Sequence, residues 1–518
     1  MCAFGIFIRL PSITIPSLNP DESDYEAAAA YFSDQHQSPF SSPPAPYPYV
    51  VGFYKLMAMA FGPYCMPEVR WVVTLVSLIV AWCIFVQLVN KVGAFWASFA
   101  GIIFLGLSTQ QEGLTANREW PCLLLVQLST LLVLRSKFSS DDTDPASTSR
   151  FFVAGLLAGF SIFSKEQAFL LTLSVPLWLL LQALANRRWK PALRYGIAYS
   201  AGGIATGLIY VTPFVLHRTL NEYLTDKFSF GRTYTKASTG EVTNWLQVEL
   251  NGFLSAPIRV YLCVALAAAC VIAGRAMWKA GKQIPPSSTL TLDSPLSQIH
   301  AIQFFLAMYA IQMGTRFFPH YFLLLMPSLT VLLSVFAFEA ERLLLHFCDR
   351  INTLNKAVTA WLFRLSMIGM VFLPKTPFLN GTEYQGGPLY FATSKLPLKQ
   401  ISTPRDRIFV WGWHPEIYAV HKRIPASRFS GCATIVYDFG RSPDNPPTDL
   451  IAVKVQQLLA ELQRTRPLLF IDSSARSYTM SNGAIYDINR YPEIQNYVRE
   501  NFTFLLDSPD GIKLYIRR

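Results

Sequence analysis

The sequence predicts a polytopic α-helical membrane protein, with about ten or eleven transmembrane helices followed by a small C-terminal extracytoplasmic α/β domain. Charged residues make up only 15% of the 518-residue chain, against roughly 25% in an ordinary globular protein. Apolar residues reach 52%, and the mean hydropathy is +0.29. Residues 1–374 carry 46 of the 77 charges, and the much shorter 375–518 carries 31. We therefore expect a transmembrane domain over 1–374 and a soluble α/β domain over 375–518.

Apolar segments about as long as a bilayer crossing recur through the first three quarters of the chain. Several are shorter than the ~20 residues that a perpendicular transmembrane helix needs, so their boundaries are approximate. An apolar stretch at residues 2–8 supplies less than half of a span. It predicts either that the natural chain begins upstream or that its first helix is a stub. The ten clearest segments are 69–89, 93–109, 120–134, 151–163, 167–184, 195–216, 257–274, 300–313, 321–338 and 357–373.

The charge and cysteine patterns argue against several other classes of protein. The formal net charge is +11, but no basic run is longer than residues 186–190, so no nucleic-acid partner is expected. The eight cysteines form no CxxC pair, and Cys432 alone lies in the C-terminal domain, so neither a zinc site nor a disulfide scaffold is predicted. No nucleotide-binding motif stands out. The one DxD sequence, residues 142–144, falls in a loop assigned below to the inner face.

Lysine and arginine residues in the loops predict the orientation of the helices, because both are enriched in cytoplasmic loops. Placing residues 10–68 outside puts 14 of these basic residues in the inside loops and fewer in the longer outside loops. The C-terminal domain then follows an inside-to-outside crossing. We therefore expect a multi-pass protein of the inner (plasma) membrane. The inside loops are 90–92, 135–150, 185–194, 275–299 and 339–356.

Reporter fusions test this orientation. A reporter joined after residue 376 should give the signal of an extracytoplasmic location, because that point follows the last outward crossing. A reporter inserted within 186–190 should give the signal of a cytoplasmic location, because this basic loop is assigned to the inner face. Equal signals at the two positions would contradict the topology and, with it, any site built from the outer loops.

Residues 375–518 show strand and helix patterns that are typical of a small α/β domain. The helix predicted over 449–464 is strongly amphipathic, and Pro415 stands at a permitted position in the first turn of another. Along the chain, the first strand is followed by a helix, and two helix–strand pairs come after it. The predicted strands are 407–413, 467–471 and 513–516, and the predicted helices begin at 414 and cover 449–464 and 491–500.

The first outer loop contains two acidic residues at the start of a predicted helix. Pro20 precedes Asp21 and Glu22, and an alanine run follows over 27–30, which predicts a short helix with both carboxylates in its first turn. Acidic residues at this position can simply complement the helix dipole. Carboxylates at the rim of an apolar bundle are more often functional than those on a solvated surface. The residues alone leave both interpretations open.

Five stretches of the chain resemble the C-type (GT-C) membrane glycosyltransferases. The first is Ser17-Leu18-Asn19-Pro20-Asp21-Glu22, followed by the predicted helix and a Pro-rich segment. The others are similar to a bacterial branch that includes lipopolysaccharide-core galacturonosyltransferases, aminoarabinose transferases and protein O-mannosyltransferases (glycosyltransferase family 39-like). The resemblance covers nearly the whole chain, and the order and spacing of the motifs carry it. The other motifs are Ala116-Asn117-Arg118-Glu119, Phe163-Ser164-Lys165-Glu166-Gln167, Phe318-Pro319-His320-Tyr321-Phe322 and residues 410–418.

This resemblance implies the chemistry of the site. In GT-C enzymes an aspartate of the first outer loop activates the acceptor hydroxyl, and the donor is a sugar on a polyprenyl phosphate. Asp21 matches that aspartate by position, and Glu22 is its usual neighbour, so both are candidate catalytic residues. A sugar hydroxyl is a poor nucleophile that needs a carboxylate to accept its proton, and the leaving lipid phosphate needs cations. The predicted function is transfer of a hexosyl or pentosyl group to a lipid, glycan or protein acceptor on the outer face of the membrane.

Candidate substrate- and phosphate-binding residues lie at the outer ends of the predicted spans, where other charges are few. Lys165 and Arg316 are the preferred phosphate partners. Cations at such positions can instead snorkel or pair with neighbouring glutamates, and Asn117 can satisfy a broken helix end. His320 can equally hydrogen-bond a backbone carbonyl, and a lone histidine is weak evidence for a metal. The full candidate set is Asn117, Arg118, Glu119, Lys165, Arg316 and His320.

Other functions also fit a polytopic chain. A transporter or lipid flippase is the alternative, and it predicts charged or helix-breaking residues near the midplane of several spans. The charges here cluster at the ends of the spans, which favours an enzyme over a flippase and over a passive anchor. No cofactor and no metal are expected. The expected partners are membrane lipid, the polyprenyl-phosphate sugar and the acceptor. The loop 217–256, with Arg232, Tyr234 and Lys236, is long enough to cover a site or to be an ordinary connector.

Overall fold

The structure of the protein is a computed structural model, and it is mostly helical with one small sheet. It describes residues 1–15, 19–42, 44–45, 47–109, 113–136, 144–228, 259–282, 291–312, 319–351, 355–372, 395–436, 449–476 and 486–518. The helices of the first part are α1 Cys2–Ile13, α2 Pro20–Asp34, α3 Pro48–Phe61, α4 Met66–Leu107, α5 Glu119–Leu134, α6 Pro145–Ser164, α7 Ala168–Thr172, α8 Ser174–Asn186, α9 Trp189–Leu216, α10 Arg259–Lys282, α11 Pro295–Gln312, α12 Met326–Ile351 and α13 Lys356–Phe372. Those of the last part are α14 Leu398–Ile401, α15 Glu416–His421, α16 Ala433–Val436, α17 Asp449–Thr465 and α18 Pro492–Asn501.

The apolar helices are those of a polytopic membrane protein, as the composition predicts. Five described helices are long and apolar enough to cross a bilayer, and three shorter ones are also apolar. The expected total of ten or eleven crossings stays a prediction. The five are Met66–Leu107, Pro145–Ser164, Ala168–Asn186, Trp189–Leu216 and His320–Cys348, and the three are Cys2–Ile13, Glu119–Leu134 and Tyr261–Ile272.

Helix α4 contains two of the predicted spans. Its 42 residues are interrupted at Gly93, which has φ 79° and ψ 167°. A side chain at this positive φ would be strained, so glycine is the residue that lets two helices meet here without a longer loop. The break lies beside the predicted loop at 90–92, between the spans predicted at 69–89 and 93–109.

Uncharged polar side chains bridge several membrane helices. His300 of α11 has Nε2 at 2.8 Å from Gln87 Oε1 of α4, and Gln87 Nε2 donates to Gln127 Oε1 of α5 at 3.2 Å. Gln303 Nε2 donates to Thr130 Oγ1 of α5 at 2.9 Å. Interhelical hydrogen bonds of this kind stabilise packing where lipid cannot satisfy a polar group. Because these groups satisfy one another, they are explained by helix packing and do not require a transport path.

Five short strands form one mixed sheet near the C-terminus, in the order β2-β1-β3-β5-β4. β1 pairs parallel with β2 and β3, while β5 pairs antiparallel with β3 and β4. The strand at β4 is therefore an edge strand. The strands are β1 Arg407–Trp411, β2 Ile424–Pro425, β3 Leu469–Asp472, β4 Phe502–Asp507 and β5 Lys513–Arg517.

The sequence pattern did not predict β2 or β4. β2 has two residues, which is too short for any periodic signal. β4 begins at Phe502, directly after α18 ends at Asn501, with no glycine or proline between them to mark the change. The strands β1, β3 and β5 lie within one or two residues of the predicted positions. The helices α15, α17 and α18 also lie where the pattern placed them.

Helix α2 lies between the membrane helices and the sheet. Tyr25 and Phe32 pack into the main core of the helical bundle. Ala27 belongs to a second core cluster, together with Ile408 of β1 and Ile471 of β3, and α2 contacts β2. The alanine run of α2 is buried throughout, because small side chains let a helix fit between two surfaces. The predicted acidic helix thus joins the membrane part to the C-terminal part.

Three polar contacts reinforce this junction. Arg407 at the start of β1 pairs with Asp34 at the end of α2, with 2.8 Å between Nη2 and Oδ2. Arg464 Nη2 of α17 donates to the Tyr31 hydroxyl at 2.7 Å. The third contact, described below, joins Asp24 to Ser430. The C-terminal domain is therefore attached along the length of the helix that carries Asp21.

Candidate active site

The first turn of α2 places the two candidate catalytic carboxylates at different depths. Asn19 is the N-cap, and its side-chain oxygen accepts the backbone N–H of Asp21 at 2.7 Å. Pro20 occupies the first helical position, where a missing N–H leaves no unmade bond. Asp21 is half-buried, whereas Glu22 is 0% exposed. Asp21 is therefore the one of the two that a substrate can reach.

Glu22 is held in a buried ion pair with Arg70 of α4. Its second oxygen accepts the backbone N–H of Ala116 at 2.9 Å. Arg70 in turn donates to the carbonyl of Ser12, at the end of α1, at 2.7 Å. Charges this deeply buried persist when they are paired and hydrogen-bonded, because an isolated buried ion costs several kcal/mol. Glu22 thus fixes the first turn of α2 against α1, α4 and the loop before α5.

Lys165, Glu119 and His320 meet at the ends of three other elements. Lys165 Nζ lies 2.6 Å from Glu119 Oε1, and His320 Nε2 lies 3.9 Å from the same oxygen. The Lys165 ammonium also lies 4.5 Å from the centre of the Tyr321 ring. All three side chains are buried. Pairing with a glutamate, the alternative that the sequence left open for Lys165, is thus present in the structure.

Arg118 and Lys227 form a second, more open group around Glu166. Arg118 Nη1 lies 3.7 Å from Glu166 Oε2, and Lys227 Nζ lies 2.6 Å from Glu166 Oε1. The Glu166 side chain is 61% exposed. The Arg118 guanidinium stacks 4.3 Å from the centre of the Tyr47 ring, and the Lys227 ammonium lies 5.3 Å from it. Arg118, Lys165 and Lys227 therefore bring three positive charges to neighbouring helix ends.

Two tyrosine rings connect Asp21 with these charges. Tyr25 follows Asp21 by one helical turn, and its ring meets the Tyr47 ring edge-on at 5.5 Å between centroids. Burial raises the pKa of Tyr25 well above its usual value, while the Arg118 charge lowers this pKa and the Asp21 charge raises it. Asp21 and Arg118 thus shift the pKa of the same phenol, that of Tyr25, in opposite directions. The carboxylate, both rings and the guanidinium therefore lie near one another.

Asp24 joins this region to the C-terminal domain. The Ser430 hydroxyl donates a hydrogen bond to its carboxylate. Burial raises the pKa of Asp24 to about 7, the hydrogen bond from Ser430 opposes that rise, and the charge of Asp21 adds to it. A change of charge at Asp21 therefore shifts the pKa of Asp24, the residue that contacts the C-terminal domain through Ser430.

Asn117 is a buried polar side chain left without a hydrogen bond in the described part of the chain. It is 3% exposed, and neither its Oδ1 nor its Nδ2 has a partner. An unpaired buried polar group costs about 1–3 kcal/mol, so native proteins rarely leave one unsatisfied. Asn117 lies between Ala116, which contacts Glu22, and Arg118. We expect a substrate atom or an ordered water to complete its hydrogen bonds.

The structure thus brings most of the predicted site residues to one region. Asp21 and Glu22 lie on α2, the 117–119 stretch lies before and at the start of α5, Lys165 follows α6, and His320 begins the segment before α12. Arg316 lies outside the described residues, as do Arg232, Tyr234 and Lys236. Within the described ranges, no group of three histidine, cysteine, aspartate or glutamate side chains is arranged to hold a metal ion.

Sequence reasoning missed several residues of the region. Lys227 falls in the 217–256 loop, which was singled out for its length, but nothing in the sequence showed that it reaches Glu166. Tyr47 lies in the Pro-rich segment, where a tyrosine next to prolines gives no functional signal. Arg70 lies in the first turns of a membrane helix, and an arginine at such a position indicates a buried partner.

Trp411, which lies in the 410–418 motif, is a structural residue. Its side chain is fully buried, and its indole N–H donates to the carbonyl of Tyr486 at 2.7 Å. It belongs to the core of the C-terminal domain because alternate residues of β1 point to opposite faces of the sheet, and position 411 points to the face covered by α17 and α18.

Comparisons with solved structures show the fold of the chain. The apo ArnT from Cupriavidus metallidurans is similar with a TM-score of 0.59 and 14% identity, over 99% of this chain and 96% of that chain. ArnT bound to undecaprenyl phosphate gives 0.57 and 14% over the same shares. The oligosaccharyltransferase AglB from Archaeoglobus fulgidus, with an inhibitory peptide and a dolichol-phosphate, gives 0.51 and 12% over 100% of this chain and 74% of that chain. No protein-family model matches, and no curated protein matches either. ArnT and AglB have the GT-C membrane glycosyltransferase fold, so the fold that the motifs predict is confirmed.

Proposed function

We propose that this chain is a membrane glycosyltransferase that moves one hexosyl or pentosyl group from a polyprenyl-phosphate carrier to an acceptor at the outer face of the inner membrane. The GT-C fold supports the general kind of reaction. The outer-face location follows from the predicted topology, and the acceptor is a lipid, a glycan or a protein. We propose that the reaction needs no cofactor, since the carrier lipid itself supplies the activated sugar.

One observation carries the proposal. The half-buried carboxylate of Asp21 lies in the same region as the cations Arg118, Lys165 and Lys227, and the unpaired Asn117 directly precedes Arg118. A transferase for lipid-phosphate sugars needs a base for the acceptor and positive charge for the leaving phosphate. Helix packing alone explains Glu22 and Arg70, but it does not explain a polar side chain buried without a partner.

The proposed step is a single displacement that inverts the anomeric carbon. The Asp21 carboxylate accepts the proton of the acceptor hydroxyl, and the resulting oxygen nucleophile attacks the anomeric carbon. The bond between that carbon and the phosphate oxygen breaks, and the phosphate leaves with the electron pair. Positive side chains offset the charge that develops on the phosphate. The carboxylic acid of Asp21 then returns its proton to solvent.

Each of the other residues has a role in this proposal. Glu22 and Arg70 are positioning residues, because both are buried and act on the base through the backbone of α2. Lys165 is the preferred phosphate partner, with Arg118 and His320 near it and Arg316 as a further candidate. Glu119 holds Lys165 in place at 2.6 Å. Arg118 and Lys227 share Glu166, whose exposure lets this group exchange a carboxylate partner for a phosphate.

Replacing Lys165 by alanine should weaken binding of polyprenyl phosphate by about tenfold or more, in line with the loss of one charge-assisted hydrogen bond. The measurement is a titration of the lipid against the purified protein in detergent. Because Lys165→Ala also leaves Glu119 buried without its counter-ion, the double variant Lys165→Ala/Glu119→Gln separates the two effects. It should recover stability but not lipid affinity.

Lys190→Ala is the matched control for charge. Lys190 is an exposed lysine in the first turn of α9. It falls within the segment 185–194, which the sequence assigns to the opposite face of the membrane. Its replacement should therefore leave lipid affinity unchanged. Wild-type affinity in the double variant would show that Lys165 serves Glu119 alone and takes no part in phosphate binding.

The experiment that tests the function is direct transfer. The purified protein in liposomes is given a polyprenyl-phosphate sugar with a radiolabel in the sugar, together with membrane and envelope extracts as acceptors. We expect label to move to an acceptor and free polyprenyl phosphate to accumulate in equal amount. Movement of the intact labelled lipid across the bilayer, with no transfer of the sugar, would favour the flippase alternative.

A further inference from the structure

A cavity of about 720 Å³ lies in the C-terminal domain, apart from the region around Asp21. It opens between the edge of the sheet, helix α18 and the short helical turn Ile488–Arg490. Its wall combines aromatic rings with planar amide and carboxylate groups. The wall includes Asp472, Asn489, Gln495, Phe504 and Tyr515, together with the basic side chains of Arg499, Lys513 and Arg518.

The aromatic part of the wall comes from the two outermost strands. Phe504 of β4 and Tyr515 of β5 are direct cross-strand partners, with 5.7 Å between ring centroids. Phe502, two residues before Phe504 and therefore on the same face, is 3% exposed because α18 covers it. Phe504 lies beyond that cover and is 55% exposed. An edge strand thus presents an aromatic ring to an open cavity.

The polar part of the wall comes from the elements around those strands. Asp472 ends β3, is 5% exposed, and accepts the backbone N–H of Ser474 at 3.0 Å through Oδ1. Burial raises the pKa of this carboxyl. Gln495 Nε2 donates to Asn489 Oδ1 at 2.8 Å, and both side chains lie at the solvent side of the cavity. Planar amides and carboxylates can each hydrogen-bond two neighbouring groups at once.

We propose that this cavity binds a saccharide unit of an extended glycan acceptor. A sugar ring has an apolar face, formed by its C–H groups, that fits an exposed aromatic ring such as Phe504. Its edge carries adjacent hydroxyls that both donate and accept, which matches carboxylates and amides such as Asp472, Asn489 and Gln495. A cavity with an apolar wall and a few placed polar groups is the usual form of a specific small-ligand site.

The position of the cavity narrows the acceptor class, and this step rests on the proposed function. The cavity lies at β4 and β5, at one edge of the sheet, whereas α2 contacts β2 at the other edge. Neighbouring strands lie about 4.8 Å apart, and β2 and β4 are separated by four such spacings, so one sugar cannot fill the cavity and reach Asp21 together. The acceptor would be an oligosaccharide or polysaccharide that binds the cavity with one unit and receives the transferred sugar on another unit, beside Asp21 of α2.

A printed array of oligosaccharides, probed with the full-length protein in detergent, tests the proposal. We expect the wild-type protein to be retained on at least one oligosaccharide. Phe504→Ala should lower that retention by about tenfold or more, since a large apolar contact is lost, and Gln495→Ala should lower it as well. Leu505→Ala is the matched control, because Leu505 is an exposed apolar residue of the same strand that does not line the cavity.

Three results would overturn the proposal: no retention on any oligosaccharide, equal retention by Phe504→Ala, or equal loss in Leu505→Ala. The array also separates this proposal from the proposed function. Asp21→Asn should bind the array as the wild type does, because Asp21 does not line the cavity. Array binding by a protein that neither binds polyprenyl phosphate nor transfers sugar would leave the saccharide site standing and reject the transferase.

Discussion

Replacing Asp21 by asparagine is expected to lower sugar-transfer turnover by roughly 10²-fold or more, the usual contribution of a positioned general base. Asparagine keeps the size of the side chain but cannot accept the acceptor proton. Folding should survive, because the helix start is capped by Asn19, which binds the backbone N–H of residue 21 and does not involve its side chain. The measurement is transfer of labelled sugar from a polyprenyl-phosphate donor in liposomes, with thermal stability recorded in parallel.

Asp34→Asn is the matched control on the same helix. Asp34 lies at the opposite end of α2, where it pairs with Arg407 at the partly exposed junction with the sheet. Its replacement removes one carboxylate from α2 and should leave transfer close to wild type, because partly exposed ion pairs contribute little to stability. Near wild-type transfer by Asp21→Asn would reject Asp21 as the base. Loss of transfer together with loss of folded protein would assign Asp21 to the stability of the helix start.

Replacing Glu22 by alanine is expected to lower the free energy of unfolding by about 3–5 kcal/mol, because it leaves Arg70 as an uncompensated buried charge. Arg70 is 1% exposed, and water cannot take the place of the lost carboxylate without rearrangement. Transfer activity should fall with stability, since the first turn of α2 loses its contacts to Arg70 and Ala116. Unfolding in mixed micelles with increasing denaturing detergent measures the change.

A double variant distinguishes the loss of the whole Glu22–Arg70 ion pair from the loss of one of its two charges. Glu22→Gln/Arg70→Met removes both charges and keeps most of the volume, so it should be more stable than Glu22→Ala. The amide of glutamine can still accept the N–H of Ala116, which keeps α2 beside the loop. Equal stability of Glu22→Ala and the wild type would mean that Glu22 and Arg70 are not a buried pair, and the positioning role of Glu22 would fall with it.

The start of α2 shows what the sequence could predict. Pro20, two acids and an alanine run indicate a helix start from local propensities, and the helix indeed begins at Pro20. The apolar segments likewise indicate membrane helices through length and composition alone. The motifs placed Asp21 and Lys165 in one family pattern, and the structure brings their loops to one region. Such predictions succeed because each depends on residues close together in the chain or on a recognisable motif.

Arg70 and Lys227 show what the sequence could not predict. The contacts of Arg70 with Glu22 and of Lys227 with Glu166 join residues 48 and 61 positions apart, and helix packing decides them. The burial of Glu22 beside a half-buried Asp21 is also a tertiary property, since both lie in one helical turn. The cavity at Phe504 depends on β4, whose start after α18 no turn residue marks.

The most direct test of the central claim is a structure of the purified protein with polyprenyl phosphate bound. The account predicts that the phosphate lies within hydrogen-bond distance of Lys165 or Arg118, close to Asn117 and on the same side of the membrane helices as Asp21. The lipid tail should then lie along the membrane helices. A phosphate bound at the other end of the helices, near Gly93 and the loops assigned to the inner face, would contradict the account.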